Sequence, residues 1–98
     1  MTLDDILQDI HALEQDLQTF ERKYGVLSET FYQSYMAGEE PDDDSWVMEW
    51  SAWAGFYEIW LQRREQYRSA MKNLQSQAPA ISSIIQRTAR HEPIPVAV

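Results

Sequence analysis

The chain has no cysteine, three glycines and four prolines in 98 residues, and only eight basic residues against sixteen acidic ones. The lack of cysteine excludes disulfides and thiolate metal sites, and fits a reducing compartment. With so few glycines there is no glycine-rich phosphate loop and no Gly-x-Ser-x-Gly nucleophile elbow. The longest apolar run, Ala52 to Tyr57, is far short of the roughly 20 residues that span a bilayer. Met1 to Ile10 carries three aspartates and no basic residue, which argues against a secretory leader. Together these absences lead us to expect a cytoplasmic protein.

Charge is unevenly placed along the chain. Residues 1–49 hold thirteen acids against Arg22 and Lys23, a net −11, whereas residues 50–98 hold six basic residues against Glu58, Glu65 and Glu92, a net +3. An acidic chain repels a phosphate backbone, so binding of nucleic acid by this chain alone is not expected. There is also no basic ribbon–helix–helix arm and no basic recognition helix. The acid surplus serves solubility, or it favours a basic protein partner.

What the chain does have is two heptad ladders. Leu3, Ile6, Ile10, Leu13, Leu17, Phe20 and Tyr24 form the first, and Trp46, Trp50, Trp53, Tyr57, Trp60, Arg64, Tyr67, Met71 and Leu74 the second. Steps of four and three are the seam of a helix packed lengthwise on other helices. Thr2 is placed to cap a first helix, with Asp4 and Asp5 in its first turn, and Gly25 ends it after Tyr24. Ser28 is placed to cap a second helix from Glu29 to Ala37, stopped at Gly38, with Phe31, Tyr35 and Tyr32 toward the core. Gly38 to Asp44 reads as a loop, because Pro41 cannot continue a helix, and an Asp or Ser before Trp46 caps the next one. The third helix runs from Ser45 to Ser76 and ends before Pro79.

In that third helix Val47, Ala54, Phe56, Ile59 and Leu61 flank the seam as far as Leu61, a stripe wide enough to contact helices on more than one side. From Gln62 the stripe narrows, so the second half is expected to project or meet a single partner, with Arg64 snorkelling or fixing register. Ala80 to Arg90 form a short fourth helix with Ile81, Ile84 and Ile85 on one face, and Pro93 and Pro95 hold the end extended and poorly ordered. The expected fold is therefore all-α: a long antiparallel helical hairpin with a short middle helix over residues 1–78, then a short helix and flexible tail over 79–98. One hairpin has too few helices to cover the aromatic face, so assembly as a homodimeric helical bundle is expected.

No catalytic constellation emerges. His11 lies outside the first seam and His91 in the tail, with no HExxH-type spacing, so neither a metal site nor a cofactor is expected. Asp42, Asp43 and Asp44 lack the alternating order of a calcium loop and read as a solvated, capping run. Asp5 and Asp9, four apart, have no apolar pocket to split their pKa values, so capping explains them better than acid–base work. Ser28, Ser34, Ser82 and Ser83 have no histidine nearby. Trp60, Arg63, Arg64 and Tyr67 could stack bases, yet the aromatics hold core spacing.

From Phe20 to Tyr57 the chain carries Phe20-Glu-Arg-Lys-Tyr24-Gly25, then Ser28-Glu-Thr-Phe31-Tyr32, Gly38-Glu, Asp42-Asp43-Asp44, Glu49-Trp50 and Tyr57. This order resembles a group of very small prokaryotic antitoxin proteins encoded beside small toxins, often of ribonuclease type. The resemblance covers about 40 residues of the chain's 98. Extra tryptophans at 46, 53 and 60 and a basic helix after residue 61 depart from the pattern. The resemblance implies a non-enzymatic protein that binds and neutralises a small basic toxin. The competing class is a self-assembling structural or adaptor protein without a toxin partner. On either view the expected protein-interface residues are Trp46, Trp50, Trp53, Phe56, Tyr57, Trp60, Tyr67, Ile81, Ile84 and Ile85. The isoleucine strip has two readings, ordering on a partner's groove or folding back on the bundle.

Overall fold

Thr2 opens helix α1 (Leu3–Tyr24) with a reciprocal cap: its backbone N–H donates to the Asp5 carboxylate at 2.9 Å, and its hydroxyl accepts from the Asp5 N–H at 3.3 Å. Gly25, at φ +80°, ends the helix in the left-handed region that favours glycine. Helix α2 (Ser28–Met36) stops before Gly38, which has φ +96°. Asp43 then accepts from the N–H and hydroxyl of Ser45 and caps a 3-10 turn, Asp44–Trp46, that leads into helix α3 (Val47–Gln77). At about 1.5 Å per residue α3 is about 46 Å long. Helix α4 (Ile81–Ala89) ends at Arg90 and His91, the latter in a left-handed turn at φ 58°.

This computed structural model describes residues 1–77 and 80–96. The fold is all-α, and among the described residues no strand forms. Pro79, expected to end the third helix, lies outside the described residues.

The chain divides into two compact units. A central unit comprises His11–Leu61, and a terminal unit joins Met1–Ile10 to Gln62–Val98. In the central unit α1 and α3 run antiparallel: Tyr24 meets Trp46 of the 3-10 turn and Trp50 early in α3, and Phe20 meets Trp53 and Phe56 further on. Buried Leu17, Phe31, Trp53, Ala54 and Tyr57 form the core. Trp53 is fully buried, its ring lying on Phe31 of α2 at 3.8 Å and 3°. Thus α2 covers Trp50, Trp53 and Tyr57 of the aromatic face, while Trp46, Val47, Ile59 and Leu61 of the same stretch stay exposed. Nine residues of α2 suffice because Phe31 lies flat on Trp53 and Tyr32 packs on Tyr57 at 4.9 Å.

The terminal unit is built around Leu3, Ile84 and Ile94, with Leu7, Met71, Leu74 and Val96 against them. Residues 94–96 bond to the first residues of the chain. Leu3 donates its N–H to the Ile94 carbonyl at 2.8 Å, Val96 donates to that of Met1 at 3.2 Å, and Thr2 and Pro95 form an antiparallel bridge. The second half of α3 likewise meets more than one neighbour. Arg63 bonds Asp9 of α1 at 3.1 Å, while Met71 and Leu74 pack in the cluster that holds Ile84 and Ile94.

The inward residues of this half depart from the ladder. Arg64 and Tyr67 are exposed, whereas Arg63 and Gln66 are partly buried and Ala70 is buried. A straight helix drifts by about 20° per heptad against a strict seven-residue repeat, and the neighbours change along α3. Arg63, one position before the arginine on the ladder, is the one that bonds Asp9 of α1.

Candidate functional site

A polar cluster of the central unit forms where the chain turns back after Gly25. Leu27 occupies the N-cap position of α2 in extended conformation, and its side chain caps nothing. Ser28 follows as the first helical residue and is buried. It was expected to cap α2, but its hydroxyl is committed elsewhere: it accepts from the Trp53 indole N–H at 2.8 Å and donates to the Glu21 carboxylate at 2.6 Å. The Ser28 backbone N–H donates to the same carboxylate at 2.8 Å. Glu21 of α1 thus serves the helix start that the sequence assigns to Ser28, and a carboxylate suits the positive end of a helix.

Beside this cluster lies a cleft of about 210 Å³. Three carboxylates, Glu14, Glu21 and Glu29, border it, together with apolar Leu27, Tyr57 and Trp60. Small-molecule sites occupy roughly 300–1,000 Å³, so this cleft has room for one side chain rather than a substrate. A side chain with an apolar stem and a cationic head, arginine or lysine, matches its lining. Around it the central unit carries eleven acids against Arg22 and Lys23, a net −9. Large apolar side chains stand exposed among them: Leu27 at 69%, Met36 at 61% and Met48 at 80%.

A second polar group joins α1 to the start of α3. Lys23 Nζ lies 2.7 Å from both Glu49 carboxylate oxygens, and the Tyr24 hydroxyl donates to Glu49 at 2.8 Å. The Lys23 bond, then the Tyr24 bond, hold the Glu49 carboxyl below its ordinary pKa. The same contact raises Lys23, and burial followed by the Glu49 bond raises Tyr24. Asp43 and Asp5 are also lowered, by their bonds from Ser45 and Thr2. A lowered folded pKa contributes stability above the unfolded value, and that stability is lost as pH falls through the folded value. Thermal stability is therefore expected to hold from neutral pH down to about 5 and to fall as these carboxylates protonate. Glu49→Gln should flatten part of that acid limb in melting curves taken from pH 3 to 7. An acid limb identical to wild type would remove Glu49 from this account.

The expected interface residues are dispersed. Trp53 and Tyr57 are buried within the central unit, and Trp50, Phe56 and Trp60 are partly buried against its core. Trp46 is at the surface, edge-on to Tyr24 at 5.5 Å. In the terminal unit Ile84 is buried, whereas Tyr67, Ile81 and Ile85 are exposed. The isoleucines therefore do not share one exposed face.

Asp5 and Asp9 have separate structural partners, Thr2 and Arg63, and His11 and Asp42–Asp44 are exposed. Among the described residues no group of three His, Cys, Asp or Glu side chains is placed to hold a metal, and no helix is long and apolar enough to cross a membrane. The sequence did not point to Glu14, Glu21, Leu27 and Glu29. Acids off the apolar ladders carry no periodic signal, and the link from Ser28 to Trp53 spans 25 residues. No protein-family model, curated protein or solved structure matches this chain.

Proposed function

We propose that the chain is a non-catalytic protein-binding module, the antitoxin that binds and neutralises a small basic protein toxin, acting in the cytoplasm and self-associating as a homodimer. The observation that carries this reading is the acidic cleft of the central unit, where Glu14 and Glu29 flank apolar Leu27 and Trp60. A basic side chain of the toxin enters this cleft, and exposed Leu27 on its lining supplies apolar contact. The partial pattern from Phe20 to Tyr57 supports the same class. The net −9 of the central unit speeds encounter with a cationic partner.

The test is co-expression with the product of the adjacent reading frame. That product alone is expected to arrest growth, and this chain to restore growth and co-purify with it. The double variant Glu14→Lys, Glu29→Lys should weaken the complex by about 100-fold, two like-charge contacts replacing two attractive ones. Its melting temperature should remain near wild type, since neither residue is buried. A neighbour that neither arrests growth nor binds would refute the antitoxin reading. Undiminished binding by the double variant would move the contact away from the cleft.

A further inference from the structure

The terminal unit carries a surface of opposite character. An open groove of about 500 Å³ runs between the second half of α3 and the start of α4. Arg64, Arg68 and Lys72, spaced by four, line one edge, and Tyr67, Met71 and Ile81 supply an apolar floor. No carboxylate lines the groove among the described residues. Glu65 pairs with Arg68 at 2.8 Å, but both side chains are about two-thirds exposed, so the pair is readily exchanged.

The complement of this groove is present on the same chain. From Glu39 to Met48 the chain offers Glu39, Glu40, Asp42, Asp43 and Asp44, all exposed, followed by exposed Trp46, Val47 and Met48. None of the five acids enters an ion pair among the described residues. Acid then apolar matches a basic edge over an apolar floor. Both surfaces are exposed.

We propose that the segment Glu39–Met48 of one copy docks in the Arg64–Lys72 groove of a second copy. The acids pair with Arg64, Arg68 and Lys72, and Trp46 or Met48 covers Tyr67, Met71 and Ile81. A nucleic acid is the less suited occupant, because the chain's net charge of −8 opposes a long polyanion. The proposal rests on the self-association half of the function above and is independent of the toxin.

A charge swap tests it on the full chain. In the groove variant Arg64, Arg68 and Lys72 become Glu. In the segment variant Glu39, Glu40, Asp42 and Asp44 become Lys, with the capping Asp43 kept. Each variant alone should lose self-association by about 100-fold or more in sedimentation equilibrium, with helix content unchanged by circular dichroism. Mixed one to one they should reassociate, because each groove then meets a segment of opposite charge. Ile81→Asp, at an exposed position, should weaken association without a charge reversal elsewhere.

Variants that associate like wild type, or a mixture that stays apart, would overturn the docking while leaving the homodimer intact. A wild-type particle of 11.5 kDa at about 100 μM would overturn docking and homodimer together, without bearing on the toxin. A groove variant that loses binding to a single-stranded RNA oligonucleotide yet self-associates normally would overturn the proposal in favour of nucleic acid.

Discussion

Trp53→Ala is expected to remove roughly 3–5 kcal/mol from the stability of the central unit, the range for truncating a buried large aromatic. Trp53 is the largest fully buried side chain, and three rings stack on it: Phe31 at 3.8 Å, Tyr24 at 5.5 Å and Phe20 at 5.7 Å. Alanine leaves a cavity bounded by flat rings from two other helices, which cannot collapse without moving α1 or α2. It also removes the indole N–H, so buried Ser28 loses the donor at 2.8 Å while its own proton stays committed to Glu21. Domains of this size are stable by about 5–15 kcal/mol, so the loss is a large share. Urea unfolding followed by circular dichroism measures it. Trp53→Phe keeps most of the stack and should cost visibly less. If Trp53→Ala unfolds at the wild-type urea midpoint, the central unit is not organised around this ring.

Ending the chain at Gln77 is expected to unfold the terminal unit. The cut removes Ile84 and Ile94, 9% and 3% exposed, and uncovers Leu3, Leu7, Met71 and Leu74. Burying an aliphatic side chain contributes about 1.5–3 kcal/mol, so the two isoleucines alone account for about 3–6 kcal/mol. The bonds from Leu3 to Ile94 and from Val96 to Met1 go with them. The truncated chain should lose helix signal and bind a hydrophobic dye. Two point variants separate packing from length: Ile84→Ala should cost about 2–5 kcal/mol, whereas Ile85→Ala, at an exposed position, should stay within about 0.5 kcal/mol of wild type. A truncated chain with wild-type helicity and melting temperature would mean that the strip is an accessory and not part of the core.

The ease of reading each element followed from how many neighbours it has. Helix α1 uses one face from end to end, so its ladder was legible throughout: Leu3, Ile6, Ile10 and Leu17 are all buried. Gly25 and Gly38 marked boundaries because each has a local backbone task, whereas the cap ahead of Trp46 was legible only as an Asp or a Ser, and Asp43 fills it. Helix α3 was legible only in its first half. Beyond Leu61 its neighbours change, and a strict heptad points to Arg64 and Tyr67 where the chain turns Arg63 and Gln66 inward. The partners of Trp53 were not legible, since Ser28 and Phe31 lie 25 and 22 residues away and pair by shape. The same holds for the bridge from Thr2 to Pro95, which joins the two ends of the chain. The cleft was the least legible feature. Its Glu14 and Glu29 resemble any solvated acids until α1 and α2 bring them to one rim.

The division of the rings between the units gives the protein a built-in optical label. All four tryptophans and all three phenylalanines belong to residues 11–61, and Tyr67 is the one tyrosine outside them. Indole emission and near-ultraviolet dichroism are therefore local probes, sensitive to the central unit and nearly blind to the terminal one. Far-ultraviolet dichroism counts helical residues in both. Superimposed denaturation curves from the two wavelengths would identify one cooperative melt, and displaced curves two. The native chromophores thus distinguish a change near the cleft from one at the C-terminal strip, with no added dye.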